Sequence, residues 1–397
     1  NAEVLRKKPK IPSRQFQIDS IVRWRDHTLS GAPPETLELD QLPRDRDVLA
    51  SALIRLAAAR TAYARKLHFH DAASWTYFGS YWTRAEVDSL LKRVERSADL
   101  YKRYQRMEKP AVTPPQFTIE ESTRILLDAT APLGPDYTRE LAALLDPANG
   151  RMDILPGPHR RSGGFSEGAP GVDSVFYSAG FTGSYNDVRV LMHESTHAIQ
   201  RQLMNAAHVP VAYRSGPNFL AEGLAIFNEL VLADYMASHA TDPEMRQFYL
   251  RQFLDGKGMI AFVVAPEAEL EERVYDGVAA GTIRTAADLD RLTESVYSKF
   301  SINPDPQRWM SIRLMYEDPF YDINYVYGGI VGLRLYAMYR RDAAAFAPKY
   351  VAMMRNGYTA PPNALLRKFF GFDLNDPLEP VFALLRERIH STGDEER

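Results

Sequence analysis

Two histidines and a glutamate in the segment VRVLMHESTHAIQRQLM, residues 188–204, have the types and the spacing of a hydrolytic metal site. His193 and His197 are four residues apart, so on a helix both imidazoles lie on one face and can bind one metal ion. Glu194 lies beside them and is placed to act as general base on a water bound to that ion. This HExxH pattern is typical of a zinc hydrolase, and we expect one zinc ion per chain.

A catalytic zinc ion needs a third protein ligand and one open position for water. Glu222 is the candidate, because it follows His197 in a second helical pattern, FLAEGLAIFNELVLADYM. Gly223 comes next, and a glycine inside a helix costs about 1 kcal/mol unless a close approach requires it. Glu229 lies two turns further on the same face, where it could hydrogen-bond a ligand histidine. The alternative for Glu229 is a solvated surface position.

The composition is that of an ordinary globular chain and limits the classes of partner. The 48 basic and 51 acidic residues give a formal net charge of -3, so no basic field indicates nucleic acid or an anionic membrane. No apolar run is long enough for a transmembrane helix. Cysteine is absent, so any metal site must use histidine and carboxylate. Its absence, together with an Asn-Ala start that suggests a removed precursor segment, favours a periplasmic or secreted protein, with a cytoplasmic one as the alternative.

The chain divides into three parts by its patterns. Residues 1–46 are rich in proline and charge and are predicted to form an extended arm. Residues 47–150 show only helical patterns and form a helical lobe. Residues 151–397 contain the HExxH segment and form the catalytic region. We expect residues 47–397 to make one continuous unit.

Capping signals mark several helix starts before the metal residues. Thr83 with Glu86 forms a capping box that opens a long helix, predicted to reach about Met107. Thr118 and Glu121 repeat the device. These signals place the first helices independently of any function.

A loop dense in Pro, Gly and Ser begins at Leu155 and leads into SVFYSAG, which is predicted to be a short strand. An exposed strand edge can pair with an extended peptide. Ser184 and Asp187 then cap the HExxH helix. A structural hairpin without substrate contact is the alternative interpretation of this loop and strand.

A tyrosine cluster in PFYDINYVYGG is the last feature that could do chemistry. Tyr321 and Tyr325 are four residues apart and share a helical face. A phenol is a neutral donor that can hydrogen-bond a developing oxyanion. From the residues alone, packing in an aromatic core is the alternative.

Five ordered blocks of this sequence resemble the oligoendopeptidase F and thimet oligopeptidase group of zinc peptidases, the M3 peptidases, of which the chain looks like a shortened member. They cover roughly the last 250 residues. The blocks are MDILPGPHRRSGGFS, VFYSAGFTGSYNDVRVLMHESTHA, FLAEGLAIFNELVLADY, DPFYDINYVYGG and NGYTAPPNALLRKFFGFDLNDP.

The resemblance implies a mainly α, multi-helical, two-lobed zincin-type metallopeptidase with a small β-sheet lining the active-site cleft. Peptide substrate would lie in that cleft along the strand near Tyr177, and Gly164 and Tyr327 would also contact it. The resemblance also implies that tyrosines lie over the zinc-bound carbonyl, with Tyr325 and Tyr321 holding the oxyanion.

Two departures from the family pattern keep other functions open. Thr196 stands where the family usually has glycine, and no histidine occurs between His239 and His390, where one normally precedes the tyrosines. A carboxypeptidase or dipeptidase on the same scaffold is one alternative; it would need a cation for the terminal carboxylate, and arginines are available at positions 160, 161 and 313. A peptide-binding homologue without turnover is the other.

Overall fold

The computed structural model describes residues 45–157, 160, 163–303 and 305–392. It confirms a mainly helical fold with one small sheet. The predicted arm, apart from its last two residues, lies outside the described residues. Within the described ranges, no helix combines the length and apolar character that a membrane crossing requires.

From residue 45 to the sheet the structure describes six α-helices, and both predicted capping boxes are present at the starts of two of them. The single helix predicted from Thr83 to about Met107 is wrong, because the backbone leaves helical geometry at Ser97. The break lets each half bury its own apolar residues. The helices are α1 Arg46–Lys66, α2 Ala72–Gly79, α3 Arg84–Glu95, α4 Ala98–Arg106, α5 Ile119–Thr130 and α6 Pro135–Leu145.

The sheet has three short strands: β1 Met152–Asp153, β2 Gly164–Glu167 and β3 Val175–Ser178. The predicted strand is β3, and it lies in the centre of the sheet. It pairs parallel with β1 and antiparallel with β2. Strand β2 therefore forms an edge, and it packs against the first helix that follows the sheet.

That helix, α7 Tyr185–Ala206, begins with the predicted capping box of Ser184 and Asp187. A five-residue π-helical turn, Leu254–Gly258, interrupts the later helices. Those helices are α8 Asn218–His239, α9 Pro243–Phe253, α10 Ile260–Ala280, α11 Ala286–Lys299, α12 Leu314–Glu317, α13 Asp322–Arg341, α14 Ala343–Asn356, α15 Pro362–Phe370 and α16 Glu379–Ser391.

Helices α8 and α13 cross in backbone contact because glycines line the crossing. A Cβ atom on Gly223 would lie 2.7 Å from Val331 Cγ1, and one on Gly332 would lie 2.5 Å from Ile226 Cγ2. Gly328 completes the contact, since its Cβ would meet Phe219 O at 3.2 Å. The prediction that a mid-helix glycine marks a close approach is confirmed at Gly223.

The buried apolar residues form one cluster that includes side chains from α1 to α16. Residues of both the predicted helical lobe and the predicted catalytic region belong to it. The boundary near residue 150 stays a prediction.

Candidate active site

The structure brings the three predicted ligands together where α7 and α8 face each other. His193 Nε2 lies 3.2 Å from His197 Nε2 and 3.4 Å from Glu222 Oε2. One ligand atom from each residue can be chosen so that all lie within 4.8 Å of one another. The site is partly open to solvent, since the side chains of His193 and Glu222 are 16% and 11% exposed.

The donors at this point fit a divalent metal ion. Glu222 Oε2 is buried and accepts no hydrogen bond, which is costly for a carboxylate oxygen unless a cation is its partner. Two imidazole nitrogens approach the same point. Two nitrogens and one carboxylate oxygen form a ligand set that zinc accepts in catalytic sites.

The pKa values of the three candidate ligands indicate a pocket that stabilises positive charge. Burial lowers the pKa of His193, but the neighbouring carboxylates of Glu222 and Glu229 outweigh it and raise the pKa to about 10. Burial raises the pKa of Glu222, yet the neighbouring His193 brings it to about 2. Burial, followed by the charge of His193, lowers the pKa of His197 to about 3. The carboxylates that favour a proton on His193 would equally favour a metal cation.

Glu229 is buried behind His193 and fixes the orientation of its ring. His193 Nδ1 donates to Glu229 Oε1 at 2.6 Å, which leaves Nε2 for the metal. The other carboxylate oxygen accepts from Arg189, and Lys257 Nζ lies 3.9 Å from Oε1. Burial raises the pKa of Glu229, but the charges of Lys257 and Arg189 hold it well below its usual range.

Arg189 and Lys257 also contact the site through Glu229, and the sequence did not predict either of them. Arg189 precedes His193 by one helical turn, so its spacing was a usable signal. Lys257 lies in the π-helical turn, and nothing in the sequence pattern indicates that this turn reaches the site. Such turns occur frequently at functional sites.

We expect Glu229→Gln to weaken zinc binding by about 10–100-fold. The amide keeps the shape of the side chain but removes the charge that supports the His193 imidazole. Competition with a chromogenic chelator measures the affinity. Glu294→Gln, an exposed exchange on α11, is the matched control. Equal zinc affinity in both variants would show that the charge of Glu229 does not contribute to zinc binding.

Glu194 is buried beside the ligands and lies directly under strand β2. Its residue exposure is 7%, and a Cβ atom on Gly164 would lie 2.6 Å from its Oε1. Only a glycine lets the backbone of β2 approach the carboxylate this closely. Burial raises the pKa of Glu194, although the charge of His193 opposes it. A carboxylate with a raised pKa is suited to accept and return a proton.

Tyr321 and Tyr325 stand over the same group from the start of α13. The Tyr321 hydroxyl donates to Glu222 Oε1 at 3.3 Å, and the two tyrosine rings meet edge to face at 5.5 Å. Lys257 Nζ lies 5.3 Å from the centre of the Tyr325 ring. Burial and the charge of Glu222 raise the pKa of both phenols, so both remain protonated donors.

Tyr327 lies apart from this group. Its ring stacks on Trp82 with centroids 4.2 Å apart and packs on Phe219, and the residue is 3% exposed. A ring enclosed in the aromatic core has little surface to offer a peptide. The substrate contact of Tyr327 stays a prediction, and this burial does not favour it.

The structure also revises the predicted role of Tyr177. Its strand, β3, is the central one, so its edges are paired with β1 and β2. Phe165 and the Arg160 guanidinium stack on the Tyr177 ring at 4.9 Å and 4.5 Å. A peptide that extends this sheet would pair with β2, which carries Gly164, rather than with the strand of Tyr177.

Comparisons with known proteins agree with this fold. The model of peptidase family M3 matches residues 99–377, and the chain belongs to this family, which confirms the resemblance seen in the sequence. Oligopeptidase PepF of Bacillus subtilis (strain 168) is 22% identical over 361 residues, which are 85% of this chain and 53% of that protein. The chromosomal oligoendopeptidase F of Lactococcus lactis subsp. cremoris is 24% identical over 282 residues, or 69% and 46% of the two chains.

A solved structure shows the same fold. Oligoendopeptidase F from Enterococcus faecium superimposes with a TM-score of 0.63 and 17% identity, over 96% of this chain and 63% of that one. The chain thus spans about half the length of the two sequence relatives.

Proposed function

We propose that this chain is a zinc-dependent peptidase that hydrolyses peptide bonds in oligopeptides. The observation that carries the proposal is the convergence of two imidazole nitrogens on a buried Glu222 oxygen without a hydrogen-bond partner, with Glu194 beside them. The relatives named oligopeptidase and oligoendopeptidase support the same activity.

Each residue of the site has a role that follows from its position. Zinc held by His193, His197 and Glu222 would polarise the scissile carbonyl and make water a stronger nucleophile. Glu194 accepts the proton of the attacking water and delivers it to the leaving amine nitrogen. Its contact with the backbone at Gly164 keeps the carboxylate from turning away toward β2.

The tyrosines supply neutral hydrogen-bond donors for the oxygen that becomes negative. Tyr325 is the main donor in this proposal, because the hydroxyl of Tyr321 already donates to Glu222. Raised pKa values keep both hydroxyls protonated while charge develops opposite them. The peptide itself would extend the sheet at the free edge of β2.

Removal and return of zinc test the proposal. Protein stripped with a chelator should not cleave a short internally quenched peptide, and one equivalent of zinc should restore cleavage, because the ion is needed to activate water. Mass spectrometry of the products locates the broken bond. If the zinc-loaded protein binds the peptide but leaves it intact, the chain is a peptide-binding homologue without turnover.

A carboxypeptidase would need a cation for the terminal carboxylate of its substrate, and two of the three candidate arginines already have partners. Arg160 is engaged by Asp153 and by main-chain oxygens, and Arg313 is paired with Glu317. Arg161 lies outside the described residues. Location outside the cytoplasm stays a prediction.

A further inference from the structure

Arg201 shares the face of α7 that carries the site. It follows Glu194 by seven residues and His197 by four, so all three side chains line one side of the helix. Two helical turns place Arg201 about 10 Å along the axis from the proposed general base. An extended peptide advances about 3.3 Å per residue, so this distance corresponds to roughly three residues of substrate.

The charge of Arg201 lacks an acidic partner in the described part of the chain. No carboxylate oxygen of the residues described lies within 4.0 Å of its guanidinium, whereas Arg189, the other arginine of α7, is paired with Glu229. Arg201 donates instead to the hydroxyl of Ser166 on β2.

Strand β2 positions the guanidinium beside the path of the peptide. Ser166 and Gly164 lie two residues apart, so they point to the same face of the strand and toward α7. Gly164 meets Glu194 and Ser166 meets Arg201. Gly168 leaves room for the arginine stem, since a Cβ atom there would lie 3.2 Å from Arg201 Cδ.

Tyr358 adds a neutral donor beside Gln200, the residue that precedes Arg201 on α7. Its hydroxyl accepts a hydrogen bond from Gln200 Nε2 at 3.2 Å, so its own hydrogen remains available for an acceptor. Its backbone N–H donates to Tyr213 O at 2.7 Å, and its ring fills the space above Gly216. The half-buried phenol is therefore held in place before any ligand arrives.

We propose that Arg201 and Tyr358 bind a carboxylate of the peptide substrate, two or three residues from the bond that is cleaved. A guanidinium with a neighbouring hydroxyl donor matches the two oxygens of a carboxylate. The carboxylate is either the C-terminus of a short peptide or the side chain of an acidic residue. This inference rests on the proposed peptidase function and specifies its substrate class.

Kinetics on matched peptides test the inference and separate the two sources. The first pair of quenched peptides differs only in having a free or an amidated C-terminus. The second pair has glutamate or glutamine three residues from the cleaved bond. The wild-type protein should show a KM about 10–100-fold lower for one of the acidic forms. Arg201→Gln should remove that preference, so that the KM of the acidic peptide rises to that of its neutral counterpart. Tyr358→Phe should reduce the preference in part.

Two further variants separate a binding role from a structural one. Arg55→Gln on α1 makes the same change of net charge and should keep the preference. Arg201→Lys, which retains charge but not the planar fork, should keep part of it, and it replaces Arg201→Gln if the melting temperature of that variant falls. An equal KM for acidic and neutral peptides in the wild type overturns the inference while peptidase activity stands. A preference that survives in both Arg201 variants overturns it as well.

Direct binding keeps the inference testable if no peptide is cleaved. Fluorescence anisotropy measures how tightly the labelled acidic and neutral peptides bind to the wild type and to Arg201→Gln. This measurement does not require turnover. Weaker binding of the acidic peptide alone to the variant supports it. Equal binding of both peptides to both proteins refutes it, whatever the fate of the proposed activity.

Discussion

Glu194→Gln should lower kcat on a quenched peptide by about 10²–10⁴-fold while zinc remains bound, because the amide keeps the shape but cannot accept a proton. The effect should fall on kcat rather than on KM, since Glu194 acts on the attacking water and not on the peptide. Metal content of the purified variant, measured by atomic absorption, should match that of the wild type.

The exposed Glu294→Gln exchange again serves as the control, and it should keep full activity. Near-normal turnover in Glu194→Gln would exclude Glu194 as the base. The close packing of β2 makes a second check available. Gly164→Ala adds a methyl group where Glu194 Oε1 lies, so it should impair the same step although it removes no functional group.

Tyr325→Phe should lower kcat by about 10²–10³-fold with little change in KM, as expected for a donor that acts mainly in the transition state. Tyr321→Phe should cost less, since its hydroxyl is already directed at Glu222 in the free protein. No histidine occurs between His239 and His390, where the resembling family normally has one, so we expect no imidazole to compensate. The double variant should therefore fall to the level that zinc and Glu194 support alone.

Tyr63→Phe, on α1 and packed against Trp75, is the matched control for removal of a phenol hydroxyl. Steady-state kinetics on one quenched peptide compares these four variants with the wild type. Wild-type turnover in both single variants would mean that Tyr321 and Tyr325 are packing residues. The oxyanion would then depend on the metal ion or on Lys257, whose ammonium lies next to the Tyr325 ring.

Local signals in the sequence were enough to predict the parts of the site that depend on short spacings. Histidines one helical turn apart must share a face, and the caps at Ser184 and Asp187 act within a few residues. Gly223 indicated a close contact between helices, because a glycine inside a helix lowers its stability unless another interaction compensates. Such inferences need no knowledge of the rest of the chain.

Contacts between distant segments could not be predicted in the same way. The break at Ser97 and the π-helical turn depend on how whole helices pack, which the spacing of residues within one helix does not show. The place of Tyr177 in a central strand likewise follows from the order of the sheet rather than from its own segment. Lys257 reaches Glu229 only because the turn brings it there.

Contacts with a distant segment also accommodate Thr196, which stands where the family usually has glycine. Its hydroxyl donates to Met192 O at 2.8 Å and accepts from Asn228 Nδ2 on α8 at 2.9 Å. Asn228 also lies within hydrogen-bond distance of the hydroxyls of Tyr137 and Tyr350. A buried polar cluster thus joins α7 to α8 at the position where the family usually has glycine. Thr196 can be read from the sequence, but the residues that hydrogen-bond its hydroxyl could not be predicted from it.

The glycine crossing of α8 and α13 sets a limit on how this protein can change. Glu222 and Tyr321 belong to the two segments that meet there. The distance between the proposed third ligand and the proposed oxyanion donors is therefore set by the close approach of the two backbones. Any side chain at Gly223, Gly328 or Gly332 acts as a wedge and shifts both groups at once. These positions should therefore tolerate exchange as poorly as the ligands themselves, although none of them carries a functional group.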